Sequence, residues 1–372
     1  MQPADIGMIL VRIIAAGIGI AIVIGTVISA VKAFILPRAV NVWLTRFAFL
    51  VVGGFFRLRA KRAKTYEERD GIMAMYAPLV LFLLPIFLLT LILIGYTFIF
   101  WALEPQPLTD AMRLSGSSLL TLGYESGNET SYELIEFSEA MLGLIIVALL
   151  IAYLPTIYAA FSKRETAVAL IETRAGTPPS AIEFIARSYR TGDLDDLSSV
   201  WESWRVWFAE LQESHTSLAP LSFFRSTQSD ISWITAGGTV LDAAALMLST
   251  IDLPRDAPAA YCIRAGYLAF QNIGTFFHLN FDPNPTAGDP ISITREEIDE
   301  VCMQLAERGV PIVADKEQAW LDFAGWRVNY DTVLLQLASI TYAPYAPWTS
   351  DRSPLLQDGK TAKSSHGEMN KM

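Results

Sequence analysis

Three stretches, residues 6–36, 77–103 and about 135–161, are so uniformly apolar that they decide what the rest of the chain can become. As helices rising about 1.5 Å per residue, each can cross about 30 Å of hydrocarbon. The first carries Arg12 and the small residues Gly17, Gly19 and Gly25, which let helices approach closely. The second is almost wholly Leu, Ile and Phe, with Pro78 and Pro85. The N-terminal stretch lacks the basic lead and the short apolar run of a signal peptide, so a retained membrane helix is expected. A hydrophobic fraction of 52% and a mean hydropathy of +0.35 fall between a soluble globule and a wholly embedded chain. The expectation is an all-α membrane protein with an apolar front and a water-soluble helical back.

Basic residues orient it. Lys32, Arg38, Arg46, Arg57, Arg59, Lys61, Arg62, Lys64 and Arg69 crowd the connection between the first two stretches, and Lys163 and Arg164 follow the third. The connection between the second and third has one basic residue, Arg113, among Glu104, Asp110, Glu125, Glu129 and Glu133. Cytoplasmic loops carry the Lys/Arg excess, so the N-terminus is expected outside and the back half in the cytoplasm of a multi-pass inner or plasma membrane protein. Residues 40–56, with Trp43, Phe47, Phe49, Leu50 and a charge at Arg46, fit a helix lying in the interface. The cluster from Arg57 to Lys64 suits either a plain topology signal or contact with anionic lipid. A formal charge of −10 argues against nucleic acid as a partner.

Residues 163–175 continue the third stretch in helical register until Thr177, Pro178, Pro179 and Ser180 break it. Further helices are expected over 181–190, 193–213, 232–250, 258–277, 295–308 and 317–340, the last breaking near Gly325. Leu197, Val200, Trp204, Trp207, Phe208 and Leu211 share one face of the second of these. Thr294 to Glu297 reads as a capping box, and Asp193, Asp195 and Asp196 as caps rather than calcium ligands. Trp201, Trp204, Trp207, Trp233, Trp320 and Trp326 read as core rather than a ligand cage. Cys262 and Cys302, with no CxxC, read as buried thiols. The run Asp282, Asn284, Thr286, Asp289 fails the EF-hand pattern, because Pro290 and Ile293 hold ligand positions. His215, His278 and His366 show no metal spacing, and no catalytic constellation or GxGxxG fingerprint is present. No enzyme, cofactor or metal centre is expected, and without an arginine ladder neither is voltage sensing of the usual kind.

One short motif lies between the second and third stretches: Ser117-Ser118-Leu119-Leu120-Thr121-Leu122-Gly123-Tyr124-Glu125-Ser126. Thr109 or Asp110 is placed to cap a short helix over 111–120. The C-terminus of such a helix carries partial negative charge, which favours a cation. Thr121, Leu122, Gly123 and Tyr124 would then offer carbonyl oxygens, with Gly123 supplying backbone freedom and the Tyr124 ring wedged behind the strip. Irregular backbone at membrane depth is tolerated only where it lines a cavity or is buried in protein.

Across residues 78–161 this pattern resembles the potassium channel pore-loop family and its two-transmembrane pore unit: outer helix, pore helix, a TxGY-type filter at Thr121-Leu122-Gly123-Tyr124, and inner helix. The resemblance implies K+ as the permeant ion, a homotetramer, and passive conduction through stacked carbonyl sites. It also implies a gate at the cytoplasmic end of the inner helix, where Gly143 and Pro155 are candidate bend points. Glu125 stands where the family has a second filter glycine, and Ser126 where it usually has Asp. Fourfold, Glu125 would form an acidic ring at the outer mouth that gathers cations without choosing K+ over Na+. Glu139, near the outer end of the inner helix, suits either the headgroups or a brace on the filter.

The division expected is 1–76 for the first span, interfacial helix and basic loop; 77–161 for the pore domain; 162–350 for a helical cytoplasmic domain that biases the gate; and 351–372 for a disordered tail. Partners expected are copies of the chain, monovalent cations and membrane lipids. A non-conducting membrane-anchored sensor or scaffold with a degenerate loop is the alternative, with Glu125 in its favour. A K+ uptake transporter stands further off, because those carry four pore loops on one chain and this one carries one.

Overall fold

The computed structural model describes residues 3–35, 43–60, 62, 63, 66–104, 106–125, 130–254 and 256–352. In chain order its helices are α1 (Pro3–Phe34), α2 (Trp43–Ala60), α3 (Tyr66–Ala74), α4 (Tyr76–Leu103), α5 (Leu108–Leu119), α6 (Thr130–Ala175) and α7 (Ala181–Thr191). They continue with α8 (Ser198–Ser217), α9 (Trp233–Ser249), α10 (Ala257–Phe276), α11 (Arg295–Glu307), α12 (Lys316–Arg327) and α13 (Asp331–Ile340). Among the described residues there is no strand, only one isolated bridge between Ile251 and Ile312. Three helical segments are long and apolar enough to cross a membrane: Ile6–Phe34, Tyr66–Leu103 and Tyr132–Ala175.

The chain forms two compact units. The first comprises Met1–Arg62 and Met75–Tyr158; the second comprises Ala63–Ala74 and Ala159–Met372. The polar helix α3, with Glu67, Glu68 and Asp70 against Arg69, thus groups with the second unit, and α6 is one continuous helix through the boundary at residues 158 and 159.

In the first unit α1 packs along α4. They cross where a Cβ on Gly19 would fall 2.5 Å from the Gly95 carbonyl oxygen, and one on Gly95 would fall 2.7 Å from Val23 Cγ2. Of the three small residues noted in the first stretch, only Gly19 makes such an approach; Gly17 and Gly25 face open space. Between lipid-facing helices there is little hydrophobic drive, so close main-chain packing and hydrogen bonds carry the association. Leu88, Ile92 and Phe100 of α4 form the buried centre with Ala111 of α5 and Ile146 of α6, and Phe100 stacks on Tyr132. On α2, Phe56 is buried beside Tyr76 while Val51, Phe55 and Leu58 stay exposed. The basic cluster noted above lies mostly outside the described residues: Arg38, Lys61, Lys64 and the side chains of Arg46 and Arg57.

In the second unit α9 is buried on every face, as its largely apolar sequence demands. The α7, α8, α10, α12 and α13 helices surround it. Trp201, Trp204, Trp207 and Trp233 are core residues, with Trp320 and Trp326 partly buried against the same core. Each fully buried large apolar side chain contributes about 1.5–3 kcal/mol relative to exposure to water. Cys262 and Cys302 are free and buried. Thr294 and Glu297 form the expected capping box, and Ser232 with Thr235 forms a second.

Three local expectations are corrected. Helix α8 begins at Ser198, not Asp193, and Leu197 holds its N-cap with no side-chain bond. Asp193 instead accepts from Thr191 in the turn that follows Gly192, the competition that makes aspartate a turn former. Helix α5 starts behind Pro107, with no cap from Thr109 or Asp110. Gly325 stays helical, and the break falls at 328–330.

That break is set by a buried network. The guanidinium of Arg327 donates to Asp242 at 2.5 Å, to Asp331 at 2.7 Å and to the Trp348 carbonyl at 2.6 Å. Tyr330 donates to Asp242, and Ser292 to Asp331. Burial works against the Arg327 charge, but Asp242 and Asp331 outweigh it and hold the group above its ordinary value. Helix α3 is fastened to the same unit by Asp70 with Arg225 at 3.5 Å, and Arg225 also donates to the Tyr342 carbonyl. At the far end a short 3-10 turn, Ser350–Arg352, is held by Arg352 on Ser292 and Glu297. The remainder of the tail, 353–372, lies outside the described residues.

Candidate functional site

The segment that follows α5 is wound by its own hydrogen bonds. The amides of Leu120, Thr121 and Leu122 donate to the carbonyls of Gly116, Ser118 and Ser117 at 3.2, 3.0 and 2.8 Å. These bonds satisfy carbonyls that a helix end leaves open. Thr121 has φ +53° and Gly123 φ +69°. For a β-branched residue such as Thr121 that is an outlier, costing about 1–3 kcal/mol, and it persists only where its surroundings impose it. Glu125, at the position of the missing glycine, is not in the left-handed region. Its amide instead donates to Ser117 Oγ at 3.0 Å, and Ser117 Oγ donates back to its carbonyl at 3.1 Å. One buried serine thus closes the turn from Leu120 to Tyr124.

The residues read as a filter are brought together on one exposed loop. Leu120, Thr121, Leu122, Gly123, Tyr124 and Glu125 are all exposed. The Tyr124 ring is 61% exposed, and none of the described residues wedges it behind the strip. Ser126 lies outside the described residues.

Beneath the loop, α5 is tied to both long helices. Ser115 Oγ lies 2.5 Å from Glu139 Oε1 of α6 and 3.1 Å from the Leu93 carbonyl of α4. Glu139 is fully buried and its Oε2 has no partner. Tyr96 meets Ser138 at 2.8 Å, a second bridge from α4 to α6. Of the two residues named as bend points, Gly143 sits where a Cβ would fall 2.7 Å from the Leu119 carbonyl. Its smallness therefore admits the end of α5 onto α6. Pro155 lies inside α6, exposed, near the end of the first unit.

Neither Ser115 nor Ser117 stands out in the sequence. Serine is common on polar helix faces, and only the fold turns these two inward. Arg164 reads in the sequence as a topology charge. Arg164 is 3% exposed and donates to the Leu221 and Phe224 carbonyls at 2.8 and 2.9 Å, beside His215 and Glu165. Among the described residues, no group of three or more His, Cys, Asp or Glu side chains is gathered to hold a metal.

No family model, curated protein or solved structure matches this chain.

Proposed function

We propose that the chain is one subunit of a homotetrameric cation channel, with α4 as outer helix, α5 as pore helix, Thr121 to Tyr124 as a K+-type filter and α6 as inner helix. The observation that carries this is the loop itself: a strained, clamped TxGY turn between two membrane-length helices, with Leu122, Gly123 and Tyr124 all exposed. Carbonyls in such a strip replace an ion's water shell once copies surround a common axis. Burying that polar turn away from lipid also requires neighbouring protein or a water-filled path.

A second observation supports assembly through α6. Leu134, Phe137, Met141, Leu144, Ala148, Ile151, Pro155 and Tyr158 are all exposed and recur at alternating steps of three and four. That is the seam two or more copies of a helix use to pack with a left-handed twist. The opposite face, with Tyr132, Glu139, Gly143, Ile146, Tyr153 and Ile157, is buried in the subunit. In this reading the loop and N-terminus face outside, α2 lies in the interface, and the second unit is cytoplasmic. Because α6 is unbroken from the first unit into the second, a change in the second unit that favours one inner-helix position would bias the gate.

The test is ion flux from liposomes containing the purified full chain, with its mass by native mass spectrometry. Expected are four chains per particle and K+ flux well above empty vesicles. No flux of K+ or Na+, with a particle other than four chains, would overturn the proposal in favour of the non-conducting scaffold that Glu125 allows.

A further inference from the structure

Ser115 has a single hydroxyl hydrogen but two close oxygen neighbours, Glu139 Oε1 at 2.5 Å and the Leu93 carbonyl at 3.1 Å. If Glu139 is ionised, Ser115 donates to it, and no hydrogen lies between Ser115 and Leu93. If Ser115 donates to Leu93, the short contact with Glu139 needs a hydrogen from the carboxyl. Only a protonated Glu139 gives both contacts a hydrogen. The bare, fully buried Oε2 points the same way, because a buried carboxylate without partners is costly and such groups neutralise instead.

We infer that Glu139 is a neutral hydrogen-bond donor and a positioning residue: the relay Glu139 to Ser115 to the Leu93 carbonyl fixes α5, and with it the turn at Thr121 to Glu125, against α4 and α6. The distance along α5 is short. Ser115 precedes the clamp Ser117 by two residues, and the same helix end rests on Gly143 through Leu119. The nearby ionisable groups are Glu136, one turn earlier on α6, and Tyr96 of α4, which is engaged with Ser138. On α5 the charged residues are Asp110 and Arg113, exposed and facing each other at 4.0 Å.

The relay is independent of conduction; only its consequence for ion choice rests on the channel reading. The test therefore uses the full chain in liposomes with two readouts that need no flux. Infrared difference spectra of the wild type against Glu139→Gln should show loss of a protonated-carboxyl C=O stretch, shifted in Ser115→Ala. The labelling rate of a cysteine at Leu122 by a water-soluble maleimide reports loop position. It should change by about tenfold in Glu139→Ala and Ser115→Ala, the worth of one buried hydrogen bond, and stay near wild type in Glu139→Gln, which still donates. Absence of the carboxyl band, or equal labelling in Glu139→Ala and wild type, would overturn the inference. Absence of flux with both readouts as expected would instead count against the channel alone.

Discussion

Ser117 holds Glu125 by both of its main-chain polar groups, accepting from the amide at 3.0 Å and donating to the carbonyl at 3.1 Å. That pairing closes the turn from Leu120 to Tyr124 through a side-chain hydroxyl, with Glu125 outside the left-handed region. Ser117→Ala removes both bonds at a cost of about 1–2 kcal/mol and leaves the Thr121 outlier without its restraint. The expected result is folded protein with lower K+ over Na+ preference in bi-ionic flux. Glu125→Gly is expected to move the ratio the other way, towards K+, by removing the acidic ring; unchanged ratios in both variants would show that this turn does not set ion choice.

The exposed seam on α6 makes a mapping prediction. Single cysteines at Met141, Leu144 or Ile151 should crosslink between copies in membranes, whereas cysteines at Ile146 or Tyr153, buried within the subunit, should not. The native Cys262 and Cys302 are buried and should contribute little background. Dimer bands on denaturing gels read the outcome, and equal crosslinking from both faces would remove the seam as an assembly surface.

At the crossing of α1 and α4 the main chains come within van der Waals range of each other. A Cβ on Gly95 meets Val23 Cγ2 at 2.7 Å and the Gly19 carbonyl at 3.0 Å. Gly95→Val should push α1 away and cost about 1–3 kcal/mol through overpacking. Gly25→Val, on a face with nothing within 4 Å, should be near neutral. Thermal unfolding of the detergent-solubilised full chain compares the two.

His215 gives a pH prediction in the second unit. Arg164 can only donate, so His215 Nε2 accepts at 3.3 Å and Nδ1 carries the hydrogen facing the Leu211 carbonyl at 3.0 Å. Burial first, and the Arg164 charge after it, hold the ring well below the usual histidine value. The unfolded chain therefore binds a proton that the folded one refuses. Stability contributed by the neutral ring is present above about pH 6.5 and falls below it by up to about 1.4 kcal/mol per pH unit. Tryptophan fluorescence should follow this, because the His215 ring lies 4.5 Å from that of Trp233. His215→Gln should flatten the low-pH slope.

What could be read in advance was whatever rests on local, one-dimensional signals. Uniform apolarity gave three membrane-length helices, and Thr294 with Glu297 gave a helix start. Helical spacing put Trp204, Trp207 and Phe208 on one buried face. What escaped rests on contacts between distant residues. The inward turn of Ser115 depends on Glu139, 24 positions away, and the burial of Arg164 on carbonyls at Leu221 and Phe224. The caps expected from Asp193, Thr109 and Asp110 failed for local reasons: Asp193 accepts from Thr191, and α5 starts ahead of Thr109, behind Pro107. TxGY reads in the sequence as a strip of carbonyls, but nothing in the string says that it winds into a turn or that Ser117 closes it.

The Arg327 network tests how a buried charge holds the second unit together. Arg327 and Asp242 are almost wholly buried, Asp331 nearly so, and the three span α9, α12 and the start of α13. Removing the cation alone strands two carboxylates that face each other with no counter-charge, so Arg327→Met should cost about 3–5 kcal/mol. Neutralising the acids as well, in the triple variant with Asp242→Asn and Asp331→Asn, removes that penalty and should recover a large part of the loss. A plain packing role for the Arg327 stem predicts no recovery. Denaturant midpoints of the full chain, read through the buried tryptophans of α8, separate the two outcomes.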